Sequence, residues 1–166
     1  MSQTAASPSL PTIAFIGGGN MASAIIGGLI HQGQPASQIE VVEPWAEARE
    51  ALRKNYGIEA QAEAGPALQR AGIVVWAVKP QTFKDAAAQA QAHTQQALHL
   101  SVAAGIRSSS IAQWLATERI VRTMPNTPAL VGKGMSALYA RPAVTPAERQ
   151  SVEAIMASTG EFLWVE

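Results

Sequence analysis

Short apolar runs alternate with longer alanine-rich segments along the chain after its first eleven residues. This alternation is typical of β-α-β units, in which each helix returns the chain so that successive strands lie parallel. The apolar runs predict strands at 13–16, 39–43, 73–78, 98–103, 119–124, 136–140 and 162–165. The segments between them predict helices at 21–31, 46–56, 64–70, 82–95, 109–115 and 146–158.

The first predicted strand runs directly into a glycine turn and a helix of small residues. Gly17, Gly19 and Ala22 occupy the three small positions of the G-x-G-x-x-G/A pattern. Gly17 would make the tight turn, Gly19 would let a pyrophosphate approach the backbone, and Ala22 would let the helix lie close to the strand. The uncapped N–H groups of the helix would face the negative charge. The pattern therefore predicts a dinucleotide site.

Residues 13–30 also have the length of a membrane span, interrupted only by Asn20 and Ser23. Five glycines lie inside this stretch, and no basic residue precedes it. Because the rest of the chain has the pattern of an α/β domain, the phosphate-binding turn is the better interpretation.

Composition narrows the function classes. The 12 basic and 12 acidic residues cancel, which argues against broad electrostatic binding to nucleic acid or to an anionic membrane. The absence of cysteine excludes disulfides and thiolate catalysis, and three histidines make a poor metal set. Nothing requires an oxidising compartment, so we expect a cytoplasmic protein. Residues 1–11 are expected to be a flexible leader without the features of a signal peptide.

Glu43 ends the second predicted strand, 24 positions after Gly19. An acidic residue at about this interval, roughly 20 residues, binds the adenosine ribose in many dinucleotide sites. A carboxylate accepts hydrogen bonds from both ribose hydroxyls and repels a 2′-phosphate, so Glu43 favours NADH over NADPH. Alternatively, Glu43 is a solvated side chain, and Arg49 or Arg53 could still bind a 2′-phosphate.

Two further strand ends carry candidate residues. The backbone of Ala77 to Lys79 could line the nicotinamide ribose, with Pro80 fixing the exit of the chain. Lys79 could instead be a solvated charge. Small residues at Ala103 and Ala104 leave room for a nicotinamide ring, although close packing beneath a helix would explain them nearly as well.

Asn126 and Thr127 lie between two prolines at the end of the fifth predicted strand. Each proline restricts its own φ and the conformation of the preceding residue. A stiffened loop of this kind could present the amide and the hydroxyl to a ligand. Asn and Thr are also common turn formers, so an ordinary connection is the alternative.

Four segments together resemble one family. The segments are Gly-Gly-Gly-Asn-Met-Ala at 17–22, Ala-Val-Lys-Pro-Gln at 77–81, Ser-Val-Ala-Ala-Gly at 101–105 and Met-Pro-Asn-Thr-Pro at 124–128. In order and spacing they are similar to the amino-terminal domain of pyrroline-5-carboxylate reductases, over residues 13–166. The resemblance implies an α/β fold: a Rossmann-like, doubly wound, mostly parallel sheet with helices on both faces, forming a single domain at 12–166.

The resemblance also implies an activity, namely hydride transfer from NAD(P)H to 1-pyrroline-5-carboxylate to give L-proline. An imine carbon accepts hydride readily, so the protein needs neither a metal nor a strong nucleophile. The usual cofactor preference in this family is for NADPH, whereas Glu43 favours NADH. By resemblance, the cofactor residues are Ile16, Gly17, Gly18, Gly19, Asn20 and Met21 at the pyrophosphate, Ala77, Val78, Lys79 and Pro80 at the nicotinamide ribose, and Ala103, Ala104 and Gly105 at the ring.

Members of this family continue into a helical domain that holds the substrate carboxylate and builds the dimer. We therefore expect these 166 residues to bind cofactor but to turn over substrate poorly, with an oligomer expected only for the full-length protein. The proton donor is unknown. Ala64 and Gly72 stand where many relatives carry asparagine and aspartate.

Two other functions fit the same cofactor fold. One is a different reductase, acting on a keto or hydroxy acid. The other is a redox sensor that binds the nucleotide without chemistry.

Overall fold

A computed structural model describes residues 10–124 and 134–165 of the chain. Most of the predicted leader therefore lies outside the described residues. The strands of the described part are β1 (Ile13–Ile16), β2 (Ile39–Val42), β3 (Ile73–Trp76), β4 (Leu98–Ser101), β5 (Ile120–Met124), β6 (Gly134–Ala140) and β7 (Gly160–Trp164). Its α-helices are α1 (Asn20–His31), α2 (Ala46–Tyr56), α3 (Pro80–Ala90), α4 (Ser108–Leu115) and α5 (Pro146–Ala157).

The seven strands form one sheet in the order β2-β1-β3-β4-β5-β6-β7. Strands β1 to β5 are parallel, β6 is antiparallel to β5, and β7 is parallel to β6. The chain moves from β1 outward to β2 and then crosses to β3 on the other side of β1. This reversal leaves a crevice outside the carboxyl ends of β1 and β3, the usual ligand position in such sheets. The α/β doubly wound fold is confirmed.

Helices cover both faces of the parallel part of the sheet, so it has two apolar cores. Phe15 packs with Ile25 of α1 and Ile155 of α5 on one face. Trp76 packs with Phe83 of α3 on the other, their rings stacked with centroids 4.8 Å apart. All residues of β1 and β3 are buried, as expected for strands covered on both faces.

The stretch that resembled a membrane span is divided between two elements. Residues 13–16 are β1, and α1 begins after the glycine turn and has 12 residues. Among the described helices, none has the length and apolarity needed to cross a bilayer.

Four predicted strands are too long, and one of them, 119–124, only by a single residue, since β5 begins at Ile120. The predicted strands 39–43, 73–78 and 98–103 end in the structure at Val42, Trp76 and Ser101. The chain leaves the sheet after these residues because it turns toward the helices that follow. Glu43, Ala77 and Ala103 therefore lie in connections rather than in strands.

Two predicted helices are also wrong in extent. The segment 64–70 forms only a short 3₁₀ helix, Pro66–Arg70, because extended residues at Gly65 and Ala71 leave one turn between them. The helix predicted at 82–95 begins at Pro80, since proline suits a first helical position, and it ends at Ala90 before a 3₁₀ turn. The prediction missed a further 3₁₀ turn at Ala36–Gln38.

The start of α5 follows from its sequence. Thr145 Oγ1 accepts a hydrogen bond from the Glu148 N–H at 3.1 Å, and Glu148 Oε1 accepts one from the Thr145 N–H at 2.9 Å. This reciprocal capping box, followed by Pro146 at the first helical position, satisfies donors that the helix leaves open.

Gly72, where many relatives carry aspartate, lies close to Pro11. A Cβ at Gly72 would lie 2.8 Å from Pro11 Cβ, so a larger residue would not fit here without a shift of Pro11.

His99 is a buried polar side chain of β4. Its Nδ1 accepts a hydrogen bond from Trp76 Nε1–H at 2.9 Å, and its side chain is 1% exposed. Burial, with the nearby charge of Arg119 adding to it, lowers the pKa of His99 to about 4. The imidazole is therefore neutral in the folded protein at pH 7.

We predict that His99 makes the protein less stable in mild acid. The unfolded chain binds a proton at His99 near the ordinary pKa of 6.5, while the folded chain does so near 4. The stability due to neutral His99 is complete above pH 6.5 and falls by about 3 kcal/mol as pH decreases to 4. Urea unfolding across this range should show this loss in the wild type and not in His99→Asn. An unchanged difference between the two proteins at all pH values would contradict it.

Candidate functional site

The ends of the central strands meet at one edge of the sheet, joined by backbone hydrogen bonds. The Gly17 N–H donates to Val42 O at 2.8 Å, and the Ala77 N–H donates to Ile16 O at 2.8 Å. The Val102 N–H donates to Trp76 O at 3.0 Å. These bonds bring together three of the segments that the sequence marked separately: the glycine turn, the connection after β3 and the connection after β4.

Gly17 is the residue at which the chain turns out of β1. Its φ is +101°, a conformation that favours glycine. A Cβ at this position would lie 2.3 Å from the Ala77 carbonyl oxygen, which is too close for any other residue. The close approach of β1 to the connection after β3 therefore depends on a missing side chain.

The amino terminus of α1 opens at the same edge. Gly19 is the N-cap residue, no side chain caps the helix, and its first turn contains no acidic residue. A Cβ on Gly19 would meet nothing within 4 Å, so the space above the turn is open. Uncapped N–H groups and the positive end of the helix dipole suit an anion at this point.

The Glu43 carboxylate accepts hydrogen bonds from two backbone N–H groups. Its Oε1 accepts a hydrogen bond from the Gly18 N–H at 2.7 Å, and its Oε2 accepts one from the Trp45 N–H at 2.9 Å. The carboxylate is thus held between the glycine turn and the start of α2, and is not the freely solvated side chain of the alternative interpretation. Each oxygen keeps a second lone pair that could accept from a ligand hydroxyl.

The two arginines considered for a 2′-phosphate differ in position. Arg49 Nη1 donates to the carbonyl oxygens of Glu43 and Pro44 at 2.9 and 2.7 Å. Its side chain therefore stabilises the connection between β2 and α2 that carries Glu43. Arg53 instead pairs with Glu50 on the exposed side of α2, and this hydrogen bond lowers the pKa of Glu50. Only Arg49 is therefore near the connection that carries Glu43.

A cleft of about 580 Å³ lies along this edge. The structure brings seven of the predicted residues to it: Ile16, Gly17, Gly19, Glu43, Ala77, Val78 and Lys79. Its remaining wall contains Ala64, noted in the sequence as a departure from many relatives, and residues that the sequence analysis did not select.

The other predicted residues do not line the cleft. Gly18 is buried, and its amide is bonded to Glu43. Asn20 and Met21 belong to the first turn of α1, and Pro80 is the first residue of α3. The segment Ala103, Ala104 and Gly105 follows β4 beyond the end of the cleft. Asn126 and Thr127 lie outside the described residues.

Sequence reasoning missed the part of the cleft formed by α3, and it missed Trp45 beside the predicted Glu43. Trp45 lines the cleft with 63% of its surface exposed, and Ala62 and Ala64 of the segment after α2 line it as well. One polar stripe of α3 also lines the cleft, namely Thr82, Asp85 and Gln89. Their helical spacing of three and four residues is a signal that they share a face. The sequence does not indicate that this face borders the cleft, because that follows from where α3 lies in the fold.

Comparison with known proteins identifies the family. A protein-family model described as NADP oxidoreductase, coenzyme F420-dependent, matches residues 12–105. The pyrroline-5-carboxylate reductase of Pseudomonas aeruginosa is 42% identical over 160 residues, which cover 95% of this chain and 59% of that protein. The chain belongs to the pyrroline-5-carboxylate reductase family. It corresponds to the amino-terminal NAD(P)-binding domain of these reductases.

Solved structures agree with this assignment. The structure of a pyrroline-5-carboxylate reductase from Coxiella burnetii has a TM-score of 0.89 at 32% identity, covering 95% of this chain and 60% of that one. A Plasmodium falciparum pyrroline carboxylate reductase, solved with NADP bound, shares the fold with a TM-score of 0.81 at 23% identity. The chain therefore spans about three fifths of the length of the relatives that it matches.

The family match includes the entire cleft. Residues 12–105 extend from β1 to the connection after β4, and every residue that lines the cleft falls between Ile16 and Ala90. The region that matches this family model is therefore the region that builds the site.

Two glycine substitutions should separate folding from binding. Gly17→Ala should reduce the free energy of unfolding by more than about 1 kcal/mol, because a Cβ is both strained and in contact with Ala77 O. Gly19→Ala should leave stability nearly unchanged, because its Cβ meets open space, but it should weaken dinucleotide binding there. Thermal unfolding and dinucleotide titration measure the two effects. Gly65→Ala, also at an open position, is the matched control, and equal losses of stability at 17 and 19 would contradict the prediction.

Proposed function

We propose that this chain is the cofactor-binding part of a reductase that binds NADH and directs hydride transfer to 1-pyrroline-5-carboxylate, giving L-proline. The observation that carries the proposal is that an uncapped helix terminus and a fixed carboxylate lie next to each other in one cleft. The first suits a pyrophosphate, and the second suits the hydroxyls of a ribose.

The cleft has a place for each part of the dinucleotide. We expect the pyrophosphate above Gly19 at the start of α1, and the adenosine ribose beside Glu43. The adenine would then lie between Trp45 and the polar stripe of α3, and the nicotinamide ribose would follow the backbone of Ala77 to Lys79. The support is that these groups line one continuous cleft.

When bound, the reduced nicotinamide supplies hydride to the imine carbon of the substrate. The residues of this chain align and shield the reactants, which is the main requirement when the acceptor is already electrophilic. Ala103 and Ala104 follow β4 outside the cleft, so the nicotinamide ring would meet them only by extending past Lys79 toward the end of β4. Lys79 is exposed at the start of α3, where it could attract an anionic substrate or cofactor.

Glu43 makes NADH the expected cofactor. A 2′-phosphate on the adenosine ribose would bring negative charge next to a carboxylate that two backbone N–H groups hold in position. Moving that carboxylate away would leave the Gly18 amide, which is buried, without its acceptor. Repulsion therefore cannot be relieved simply by a side-chain rotation.

Glu43→Gln should shift cofactor preference toward NADPH. The amide removes the charge but keeps an oxygen that can accept from Gly18, so the turn should persist. We expect the NADPH-to-NADH ratio of dissociation constants to fall at least about tenfold, equivalent to about 1.4 kcal/mol. Titration of both cofactors measures it, with Glu43→Ser as a second variant. Glu47→Gln, in the exposed first turn of α2, is the control, and unchanged discrimination in both Glu43 variants would mean that Glu43 does not face the ribose.

Trp45→Ala should weaken NADH and NADPH equally. An exposed indole at the mouth of the cleft can stack on adenine, and such stacking contributes about 1–3 kcal/mol per base. Affinity for reduced nicotinamide mononucleotide, which has no adenine, should not change. A loss of affinity for the mononucleotide as large as that for NADH would exclude adenine stacking as the cause.

The activity can be tested by joining residues 1–165 to the remaining region of the Pseudomonas aeruginosa reductase. We expect this chimera to oxidise NADH in the presence of 1-pyrroline-5-carboxylate, and the 166-residue chain alone to do so slowly or not at all. Turnover of a keto acid but not of the imine would select the rival reductase. NADH binding without turnover of either substrate in the chimera would favour a nucleotide sensor.

A further inference from the structure

The cofactor cleft contains polar side chains that the proposed function does not use. Of the described residues that line it, five carry a charged, hydroxyl or amide side chain: Glu43, Lys79, Thr82, Asp85 and Gln89. Glu43 and Lys79 already have places in the proposed function, at the adenosine ribose and in the attraction of an anion. The other three belong to α3 and have no role assigned so far.

Two of these three side chains are available to a ligand. Thr82 Oγ1 donates its proton to the Lys79 carbonyl oxygen at 3.0 Å, so its hydroxyl has no second proton to offer. Asp85 and Gln89 are both exposed. Asp85 takes part in none of the ion pairs formed by the described residues. A ligand could therefore bind Asp85 without breaking an ion pair of the protein.

Asp85 and Gln89 lie on one face of α3, next to small residues. They are four positions apart, so their Cβ atoms are neighbours about 5–6 Å apart on the helix surface. Ala86 lines the cleft beside them, and Ala62 and Ala64 line it from the segment after α2. These alanines leave room for a flat ring but have no polar side-chain atoms. Recognition of a base by side chains in this region is therefore left to Asp85 and Gln89.

The two side chains complement the hydrogen-bonding pattern of adenine. Adenine carries an amino donor at N6, beside ring nitrogens that accept hydrogen bonds. An ionised aspartate only accepts hydrogen bonds, whereas a glutamine amide both accepts and donates. Hypoxanthine and guanine instead carry an oxygen at position 6, which is an acceptor. A carboxylate facing that position therefore favours adenine over either of them.

We propose that Asp85 and Gln89 recognise the edge of the adenine base and make the cleft specific for an adenine dinucleotide. Asp85 accepts a hydrogen bond from the N6 amino group, and Gln89 donates one to a ring nitrogen beside it. An oxygen at position 6 would place one acceptor against another and leave both without a donor. The inference rests on the proposed function, which places the adenine of NADH beside α3.

The test compares NADH with reduced nicotinamide hypoxanthine dinucleotide, which differs from NADH only in its base. Each is titrated into the 166-residue chain, and nicotinamide fluorescence measures the dissociation constant. The wild type should bind NADH at least about fivefold more tightly, the lower end of what a well-formed pair of hydrogen bonds to a base contributes to discrimination. Reduced nicotinamide mononucleotide, which has no base, gives the baseline affinity.

Asp85→Asn should remove most of this preference. The amide can accept from the amino group of adenine or donate to the oxygen of hypoxanthine, so the two affinities should become nearly equal. Asp85→Ala should weaken NADH but not the hypoxanthine dinucleotide. Thermal unfolding of both variants should stay close to the wild type, because Asp85 is exposed. Glu47→Gln, which removes a negative charge outside the cleft, is the control and should keep the preference.

Gln89→Ala should weaken NADH at least about twofold, the lower end for the loss of one hydrogen bond. Its affinity for reduced nicotinamide mononucleotide should not change, since that ligand has no base to contact. Gln81→Ala is the matched control, because Gln81 is an exposed glutamine of the same helix that does not line the cleft. Equal losses of NADH affinity at Gln81 and Gln89 would contradict the role given to Gln89.

The outcomes separate this inference from the proposed function. A wild type that binds NADH and the hypoxanthine dinucleotide equally would overturn the inference and leave the proposed function intact. A preference for NADH that survives in both Asp85→Asn and Asp85→Ala would overturn it in the same way. A wild type that binds neither dinucleotide would overturn both.

Discussion

The contact between Gly17 and the Ala77 carbonyl is the constraint on which the site depends. With no side chain at Gly17, β1 can end against the connection after β3, and α1 can begin directly above the turn. The cleft, the open helix terminus and the position of Glu43 all follow from that approach. A larger residue would separate β1 from β3 at the point where the sheet reverses its order.

Glu43 connects the fold to the function proposed for it. The same carboxylate that holds the Gly18 and Trp45 amides is the group expected to meet the ribose. A side chain already fixed by the backbone is preorganised for a ligand, because little conformational entropy remains to be lost on binding. It is also poorly able to move away from a 2′-phosphate, which links cofactor preference to the stability of the turn.

The two ends of the sheet have different roles in this arrangement. The parallel part is covered by helices on both faces, and its strand ends form the cleft. The strands β6 and β7 extend the sheet beyond β5, and Met124 of β5 and Leu163 of β7 are exposed.

The sequence by itself determined the element order, the parallel sheet and the glycine turn, because apolar runs, helical segments and glycine spacing are local properties. It also marked Glu43, which ends an apolar run, and Ala77, which lies one residue before the end of another. Tertiary structure decided where those strands stop, that Trp45 and the polar stripe of α3 line the cleft, and that Ala103 does not. It also decided which apolar side chains of β5 and β7 stay uncovered. Such facts depend on contacts between residues far apart in the chain, which no local pattern records.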